Sequence, residues 1–303
     1  MAPGHDSSKE VLLDRALTGV QDYLDGNIDQ TQLRETVDKF EKLSEYEQLP
    51  TVPISSLSLK EIEKVLGLKF DRKDQELQHV PELQLPPNLV RTLELIDRAS
   101  GRSPQSEVSI RWVINALLLH AHEIATTDHP NTQPLNIQME KTYTHSPVTW
   151  KKTKVKLSVC PYYKIWCGED GEDICLNVLI VKARNLDIES GVAQALGSMG
   201  CIHRKRKIAK RDATVYGMAS NGTSFSFLKI SNDSKWSKYV LSVSTGNLEQ
   251  PLGILVYMFR KAIMPPTHSK KPSLRRAIYT IVDLLLIGFH CRWEKQESSK
   301  PYE

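Results

Sequence analysis

Residues 176–183 have the sequence Leu-Asn-Val-Leu-Ile-Val-Lys-Ala. This nearly continuous apolar run of strand length predicts a β-strand buried on both faces of a sheet. A helical pattern follows at residues 190–207. Beyond it, Asn221-Gly222 is a hairpin turn signal between the strand-like segments 214–219 and 224–230. We therefore expect an α/β domain built around this strand.

The flanking sequence extends the same pattern in both directions. Residues 106–125 predict a helix, residues 154–166 predict one or two strands, and residues 126–150 have the Thr, Pro and His content of a loop. A strand is expected at 238–244, and closing helices are expected at 252–263 and 273–288. The order from residue 106 is helix, strands, helix, strand pair, which predicts a mixed sheet flanked by helices.

The first hundred residues have a different character. Apolar residues recur at helical spacing, and Ser58-x-x-Glu61 is a capping box that opens one of the expected helices. The segment 49–53 is predicted to be a loop, and the polar stretch 71–87, which contains prolines, is predicted to be a linker. We expect an all-helical N-terminal region at residues 1–85 and an α/β domain at residues 86–303.

Charge divides the chain in a similar way. The net charge is only +4, but residues 1–150 carry 15 Lys/Arg and 23 Asp/Glu, and residues 151–303 carry 25 Lys/Arg and 13 Asp/Glu. The balances are therefore −8 and +12. A basic half can attract polyanions, nucleic acid above all. The alternative is that the two halves attract each other.

The sequence also indicates the compartment. It contains no apolar run of membrane-spanning length and no signal-peptide pattern, so we expect an intracellular protein of the nucleus or cytoplasm with no membrane partner. The number of cysteines is odd, at 5, and no Cys-x-x-Cys occurs. Buried thiols are therefore expected rather than disulfides or a zinc site.

Four pieces of sequence between residues 100 and 265 carry a family resemblance. They are Ser106-Glu107-Val108, the run from Tyr163 to Gly168, the strand ending in Lys182-Ala183-Arg184, and the helix with Gln194 followed by the hairpin. In this order and spacing they resemble the PD-(D/E)XK nuclease-like domains found in many fungal proteins. The resemblance implies a restriction-endonuclease-like mixed sheet and metal-assisted phosphodiester hydrolysis. That chemistry needs two converging carboxylates for Mg²⁺ and a lysine beside them.

The expected active site departs from the family pattern at three positions. Tyr162 stands where the family has aspartate, Lys182 replaces the glutamate and Arg184 replaces the lysine, so only Glu107 and Gln194 agree. A cation at position 182 repels Mg²⁺, and an arginine cannot act as a base. The resemblance therefore implies a degenerate site with no confident catalytic residue, no metal and no cofactor. Mg²⁺ enters only under the alternative of an active nuclease that uses Glu107 and other acids.

Basic residues provide candidates for binding. The densest run, Arg204-Lys205-Arg206-Lys207, lies at the end of a predicted helix, where cations are favoured by the helix dipole alone. Lysines at 151, 152, 154 and 156 alternate along a predicted strand. Lys182 and Arg184 could contact phosphate where a metal would otherwise lie. We expect a non-catalytic nuclease-fold module that binds nucleic acid or protein. The alternatives are an active Mg-dependent nuclease, and a purely protein-binding accessory or regulatory factor whose partner uses the N-terminal helices.

Overall fold

The computed structural model describes residues 17–101, 107–128, 134–139, 143–161, 163–167, 174–180, 188–243 and 247–263. The helices are α1 (17–24), α2 (Gln30–Gln48), α3 (Leu59–Leu66), α4 (Pro87–Ala99), α5 (Glu107–Thr127), α6 (Ile188–Ile208) and α7 (Glu249–Ile263). The strands are β1 (Thr51–Pro53), β2 (Lys69–Phe70), β3 (Leu135–Met139), β4 (Tyr143–Trp150), β5 (Thr153–Val159), β6 (Tyr163–Cys167), β7 (Ile174–Ile180), β8 (Val215–Ser220), β9 (Ser224–Ile230) and β10 (Lys235–Ser242). None of these helices has the length and apolar character needed to cross a membrane.

A seven-stranded mixed sheet forms the centre of the molecule. Its strand order is β2-β10-β9-β8-β7-β6-β3, with β7 and β8 parallel and joined through α6. The neighbouring pairs β3–β6, β6–β7, β8–β9 and β9–β10 are antiparallel. The expected mixed sheet is confirmed, and the apolar run that predicted it supplies the interior strand β7.

Helices cover both faces of this sheet. On β9, Phe225 and Phe227 join the apolar cluster shared with α4, α5 and α7, whereas Leu228 and Ile230 join the cluster under α3 and α6. This alternation follows from the two-residue period of a strand. The layered α/β architecture expected from the sequence is therefore present.

A second sheet, of order β1-β5-β4, packs in the cluster on the α6 side. Its β4–β5 hairpin turns at Lys151 and Lys152, whose φ angles of 47° and 68° are both left-handed. Two central residues of positive φ give the twist that a tight hairpin needs, although glycine or asparagine is the usual choice there. These two lysines therefore occupy the hairpin tip rather than a strand face.

Small residues allow the N-terminal segment to approach α6 and α7 closely. A Cβ at Gly197 would lie 2.7 Å from Ile54 Cγ2, and one at Gly200 would lie 2.6 Å from Leu66 Cδ1. At Gly253 a Cβ would lie 2.3 Å from the backbone carbonyl oxygen of Pro81. Each glycine thus makes room for residues between 54 and 81.

Two expectations about loops are wrong. The first hundred residues are not all-helical, because β1 lies in the expected loop 49–53 and β2 follows α3. The expected loop 126–150 contains β3 and β4. β1 and β2 span only three and two residues and pair in parallel with distant strands, so no local turn signal marks them. β4 tolerates its internal proline because it is an edge strand with an irregular register between His145 and Val148.

Strand pairing also crosses the expected boundary at residue 85. Thr51 on β1 is in register with Lys156 on β5, and Lys69 on β2 is in register with Lys235 on β10. The division into residues 1–85 and 86–303 stays a prediction. These pairings lead us to expect that the smallest stable fragment begins near residue 50 instead. The helix expected at 273–288 lies outside the described residues.

Candidate functional site

The described elements that flank the positions singled out by the family resemblance meet at one end of the large sheet. Tyr163, at the start of β6, is in register with Val178 near the end of β7. Ile180, the last residue of β7, is in register with Ser220 at the end of β8. Tyr162, Lys182 and Arg184 lie outside the described residues, but Tyr162 directly precedes β6, and the other two fall between β7 and α6 in the chain. The start of β6 and the ends of β7 and β8 therefore lie at the same end of the sheet.

Two helices begin at the same end. A Cβ at Gly222, in the β8–β9 turn, would lie 2.9 Å from Ile110 Cγ1, which places the first turn of α5 beside that turn. Glu107 opens α5, so its backbone lies at this end. Gln194 is in the second turn of α6, and its Nε2 donates to Ser190 Oγ at 3.4 Å. The backbone therefore places Glu107 and Gln194 at the end of the sheet where β7 terminates, on opposite faces of the sheet.

A cavity of about 140 Å³ lies beside Gln194. Its polar lining comes from Ser55, Ser158, Cys160, Gln194 and Ser198, and its apolar lining comes from Pro53, Ile54 and Val159. The Cys160 thiol is exposed and free. Among these described lining residues there is no carboxylate or cation, so the cavity suits a neutral polar group better than a metal ion.

The described part of the chain contains no candidate metal site. No three His, Cys, Asp or Glu side chains there are close enough to hold one ion. The expectation of no metal rests on Tyr162, Lys182 and Arg184 and stays a prediction.

The basic run lies at the opposite end of the sheet. α6 spans Ile188–Ile208, and Lys205, Arg206 and Lys207 form its last turn. At a rise of about 1.5 Å per residue, this end of α6 lies about 30 Å from its first residue. Lys182 and Arg184 lie outside the described residues, so the expectation that they contact phosphate stays a prediction.

Contacts at the end of α6 fix the helix to the strands that follow it. His203 is buried and makes two bonds, from Nδ1 to the Ala213 carbonyl at 2.6 Å and from Nε2 to Ser234 Oγ at 2.8 Å. Burial lowers the pKa of His203, which favours the neutral ring. A neutral ring that donates from Nδ1 must accept the Ser234 hydroxyl at Nε2. His203 is therefore a structural residue.

The cations of the run bind the protein's own backbone. Arg206 donates to the Thr214 carbonyl at 2.8 Å, and Lys207 donates to the Asn232 carbonyl at 3.0 Å. Arg204 and Lys205 are half-buried, and Lys207 is exposed. These carbonyl bonds agree with the alternative interpretation that the cations are favoured at this position by the helix end alone. Because a carbonyl is neutral, the bond to Asn232 positions the Lys207 side chain without cancelling its positive charge.

The lysines of the β4–β5 hairpin do not share one exposed face. Lys154 is exposed, but Lys156 is 7% exposed and is covered by α2. Lys156 Nζ donates to the Glu47 carbonyl at 3.2 Å and lies 4.9 Å from the centre of the Tyr46 ring. The expectation that Lys156 belongs to a basic binding surface is therefore wrong, since its ammonium group anchors α2.

Sequence reasoning missed a polar cluster around Lys229. Lys229 Nζ lies 2.9 Å from Asp74 Oδ2 and 2.5 Å from Glu76 Oε2. Glu76 Oε1 accepts hydrogen bonds from Tyr216 at 2.7 Å and Tyr257 at 2.8 Å. Asp74 and Glu76 belong to the stretch expected to be a linker. The cluster instead fixes that stretch to β8, β9 and α7, and no local pattern in the sequence signals partners so far apart in the chain.

Electrostatics explain how the Lys229 cluster holds its charges. Burial alone would raise the pKa of Asp74 and Glu76, but the hydrogen bonds from Lys229 and their other donors outweigh burial, so both pKa values are lowered. Burial would lower the pKa of Lys229, and its bonds to Glu76 and Asp74 raise it overall. Burial, together with the bond to Glu76, raises the pKa of Tyr216. The lysine ammonium occupies the place between the carboxylates, so the cluster is a clamp rather than a metal site.

Comparisons with known proteins give no family assignment. The chain matches no protein-family model and no curated protein sequence.

Proposed function

We propose that this chain is a PD-(D/E)XK nuclease-like protein without catalytic activity, and that it binds nucleic acid through phosphates at the basic end of α6. The element order supports the fold part of the proposal. α5, the antiparallel strands β3, β6 and β7 of the large sheet, then α6, then the β8–β9 hairpin occur in the order that the family resemblance implies, with the β4–β5 hairpin inserted between β3 and β6. The helices that carry Glu107 and Gln194 begin at the same end of the sheet, which is a second observation that supports the proposal.

One observation carries the binding part. Lys207 is held by the neutral Asn232 carbonyl, so its side chain is positioned while its charge remains, and Arg206 beside it is positioned by the Thr214 carbonyl. Arg204 and Lys205 precede them directly, which concentrates four cations in about one helical turn. Phosphate binding depends on such charge rather than on base-specific geometry. We therefore expect weak, salt-sensitive binding without sequence preference.

A charge-matched comparison tests the proposal. In the full chain, Arg204, Lys205 and Lys207 are replaced together by Ala, and Arg206 is kept because its bond to the Thr214 carbonyl is partly buried, whereas the bond from Lys207 to Asn232 is exposed. The control replaces Arg91, Arg98 and Lys261 by Ala, since these exposed cations belong to α4 and α7 on the other face of the sheet. Both variants lose the same formal charge. Affinity for duplex DNA is measured by fluorescence polarisation at several salt concentrations.

The expected result is a flatter salt dependence in the α6 variant alone. Each lost phosphate contact reduces the slope of log affinity against log salt by about 0.9 on duplex DNA. Equal weakening of both variants would mean that only net charge matters, and no binding by the wild-type chain at low salt would refute the proposal.

The alternative of an active nuclease is tested in the same samples. We expect no cleavage of DNA or RNA with Mg²⁺ or Mn²⁺, because Tyr162, Lys182 and Arg184 replace two acids and a lysine. Metal-dependent cleavage that disappears in Glu107→Ala would favour the active enzyme.

A further inference from the structure

The α1–α2 hairpin presents an apolar stripe to solvent. Leu17, Val20 and Leu24 on α1 are 59%, 43% and 70% exposed. Their spacing of three and then four residues places them on one side of the helix. Such spacing is characteristic of a helix face that packs against another helix.

The stripe does not face α2. Gly19 is the buried residue of α1, and a Cβ there would lie 2.9 Å from Thr36 Cγ2 on α2. At about 100° per residue, Gly19 lies about 100° around the helix from Val20, about 140° from Leu24 and about 160° from Leu17. α1 therefore uses a small residue to contact α2 and turns its larger apolar residues away. Val37 on α2 is also exposed, at 42%.

Charge indicates which occupant fits the stripe. Residues 17–48 contain 8 Asp/Glu and 3 Lys/Arg, a balance of −5. A second copy of this hairpin would bring like charges together, which disfavours a symmetric dimer through this face. A helix with an apolar stripe and basic flanks would match both the apolar surface and the negative charge of the α1–α2 hairpin.

The chain itself contains such a segment in residues 270–292, outside the described part of the structure. Six of its apolar residues recur at relative positions 0, 3, 4, 7, 8 and 11, namely Ile278, Ile281, Val282, Leu285, Leu286 and Phe289, while Leu284 and Ile287 fall outside this stripe. It carries 5 Lys/Arg and 1 Asp/Glu, a balance of +4. This is the pattern of an amphipathic helix with basic flanks.

We propose that residues 270–292 dock on the Leu17-Val20-Leu24 stripe of the same chain. The chain between Ile263, the end of α7, and Ile278 can span up to about 50 Å at about 3.3 Å per residue. That reach is similar to the width of a domain of this size. The basic flank meets the acidic hairpin, and the two apolar stripes cover each other.

Site-specific photo-crosslinking in the full chain tests the docking. A benzophenone amino acid replaces Leu24 in one sample, and Leu119 on α5, which is 62% exposed, in the control. We expect a crosslink from position 24 to a peptide within 270–292, at the mass of one chain, and none of this kind from position 119. Mixing isotopically light and heavy chains distinguishes contacts within a chain from contacts between chains.

Three outcomes would overturn the proposal. They are a crosslink from position 24 to residues 17–48 of a second copy, equal yields from positions 24 and 119, and no crosslink to 270–292. The double variant Arg275→Glu, Arg276→Glu provides a second measurement. We expect the yield from position 24 to fall at least roughly fivefold, which corresponds to about 1 kcal/mol. An unchanged yield would contradict the charge argument.

Discussion

Two parts of the N-terminal region, residues 17–48 and residues 51–85, have similar sequence patterns and different structural roles. Both show apolar residues at helical spacing, and the sequence predicted one helical region from them. In the structure the first part leaves Leu17, Val20 and Leu24 exposed. The second part buries large side chains, and they are Ile54, Leu57, Ile62, Leu66, Leu68, Leu77 and Val80.

The difference lies in what each segment meets. Residues 51–85 supply one strand to each sheet and pack against the glycines of α6 and α7, so their apolar residues are shared with the main core. Residues 17–48 reach the rest of the chain at Tyr46 and Glu47, which bind His145 and Lys156. An amphipathic pattern thus indicates that one face of a helix is apolar, but it does not indicate which part of the molecule packs against that face.

Truncation at two points gives the largest expected effect. Removal of residues 1–48 should leave a cooperatively folded chain, whereas removal of residues 1–85 should abolish cooperative unfolding. Burial of five large apolar side chains in 54–68 is worth about 8 to 15 kcal/mol, which is comparable to the whole stability of a typical domain. Thermal unfolding followed by circular dichroism measures both. If residues 86–303 alone unfolded cooperatively near the midpoint temperature of the full chain, the predicted domain boundary at residue 85 would be correct.

Gly253→Ala should have the next largest effect. The new Cβ would meet the Pro81 carbonyl, a backbone atom, at 2.3 Å, so the 81–83 segment must move. We expect a loss of about 3 kcal/mol in the free energy of unfolding. The matched control is Gly200→Ala, whose Cβ meets Leu66 Cδ1, the end of a flexible side chain. Urea denaturation should show a smaller loss there, and equal losses would mean that residues 81–83 yield as easily as a leucine.

The sequence predicted most of the large sheet correctly, for reasons visible in particular residues. β7 is a continuous apolar run, and β8 and β9 flank the Asn221-Gly222 turn, so local signals were sufficient. The Ser58–Glu61 capping box was also correctly predicted. β1 and β2 escaped detection because short parallel pairing depends on partners more than a hundred residues away.

The candidate site was less accessible to sequence reasoning. Family-like spacing identified Glu107 and Gln194, and the structure places the start of α5 and the second turn of α6 at the same end of the sheet. The helix predicted at 190–207 already implies that Arg204–Lys207 lie at the opposite helix end from Gln194. The Lys229 cluster joins residues 74, 76, 216, 229 and 257, and no local pattern connects them.

Lys229→Met should cost about 2 kcal/mol, since it leaves two partly buried carboxylates without their cation. The loss from a fully buried pair is larger, but side chains of Asp74 and Glu76 are 20% and 31% exposed. Adding Glu76→Gln should recover part of the loss by removing one unpaired charge. Urea denaturation of the single and double variants measures the coupling. No recovery would mean that Lys229 acts through packing alone.

The same cluster predicts a pH dependence. Folded-state pKa values of Asp74 and Glu76 lie below their ordinary values of 3.8 and 4.5, so their stabilising contribution is complete above about pH 4.5. It is lost progressively as pH falls through the folded-state values. The difference in unfolding free energy between the wild type and Glu76→Gln should therefore shrink on acidification below pH 4.5. A constant difference down to pH 3 would contradict this assignment.

The smallest expected effect is that of Leu24→Ser in the exposed part of the N-terminal region. Leu24 is 70% exposed, so the substitution should change the free energy of unfolding of the main core by less than about 0.5 kcal/mol. Leu66→Ala, in the segment that packs on α6, is the matched change and should cost about 2 to 5 kcal/mol. Urea denaturation of both variants compares the two segments at single-residue resolution. If Leu24→Ser cost as much as Leu66→Ala, α1 would belong to the cooperative core, and the contrast between residues 17–48 and 51–85 would not hold.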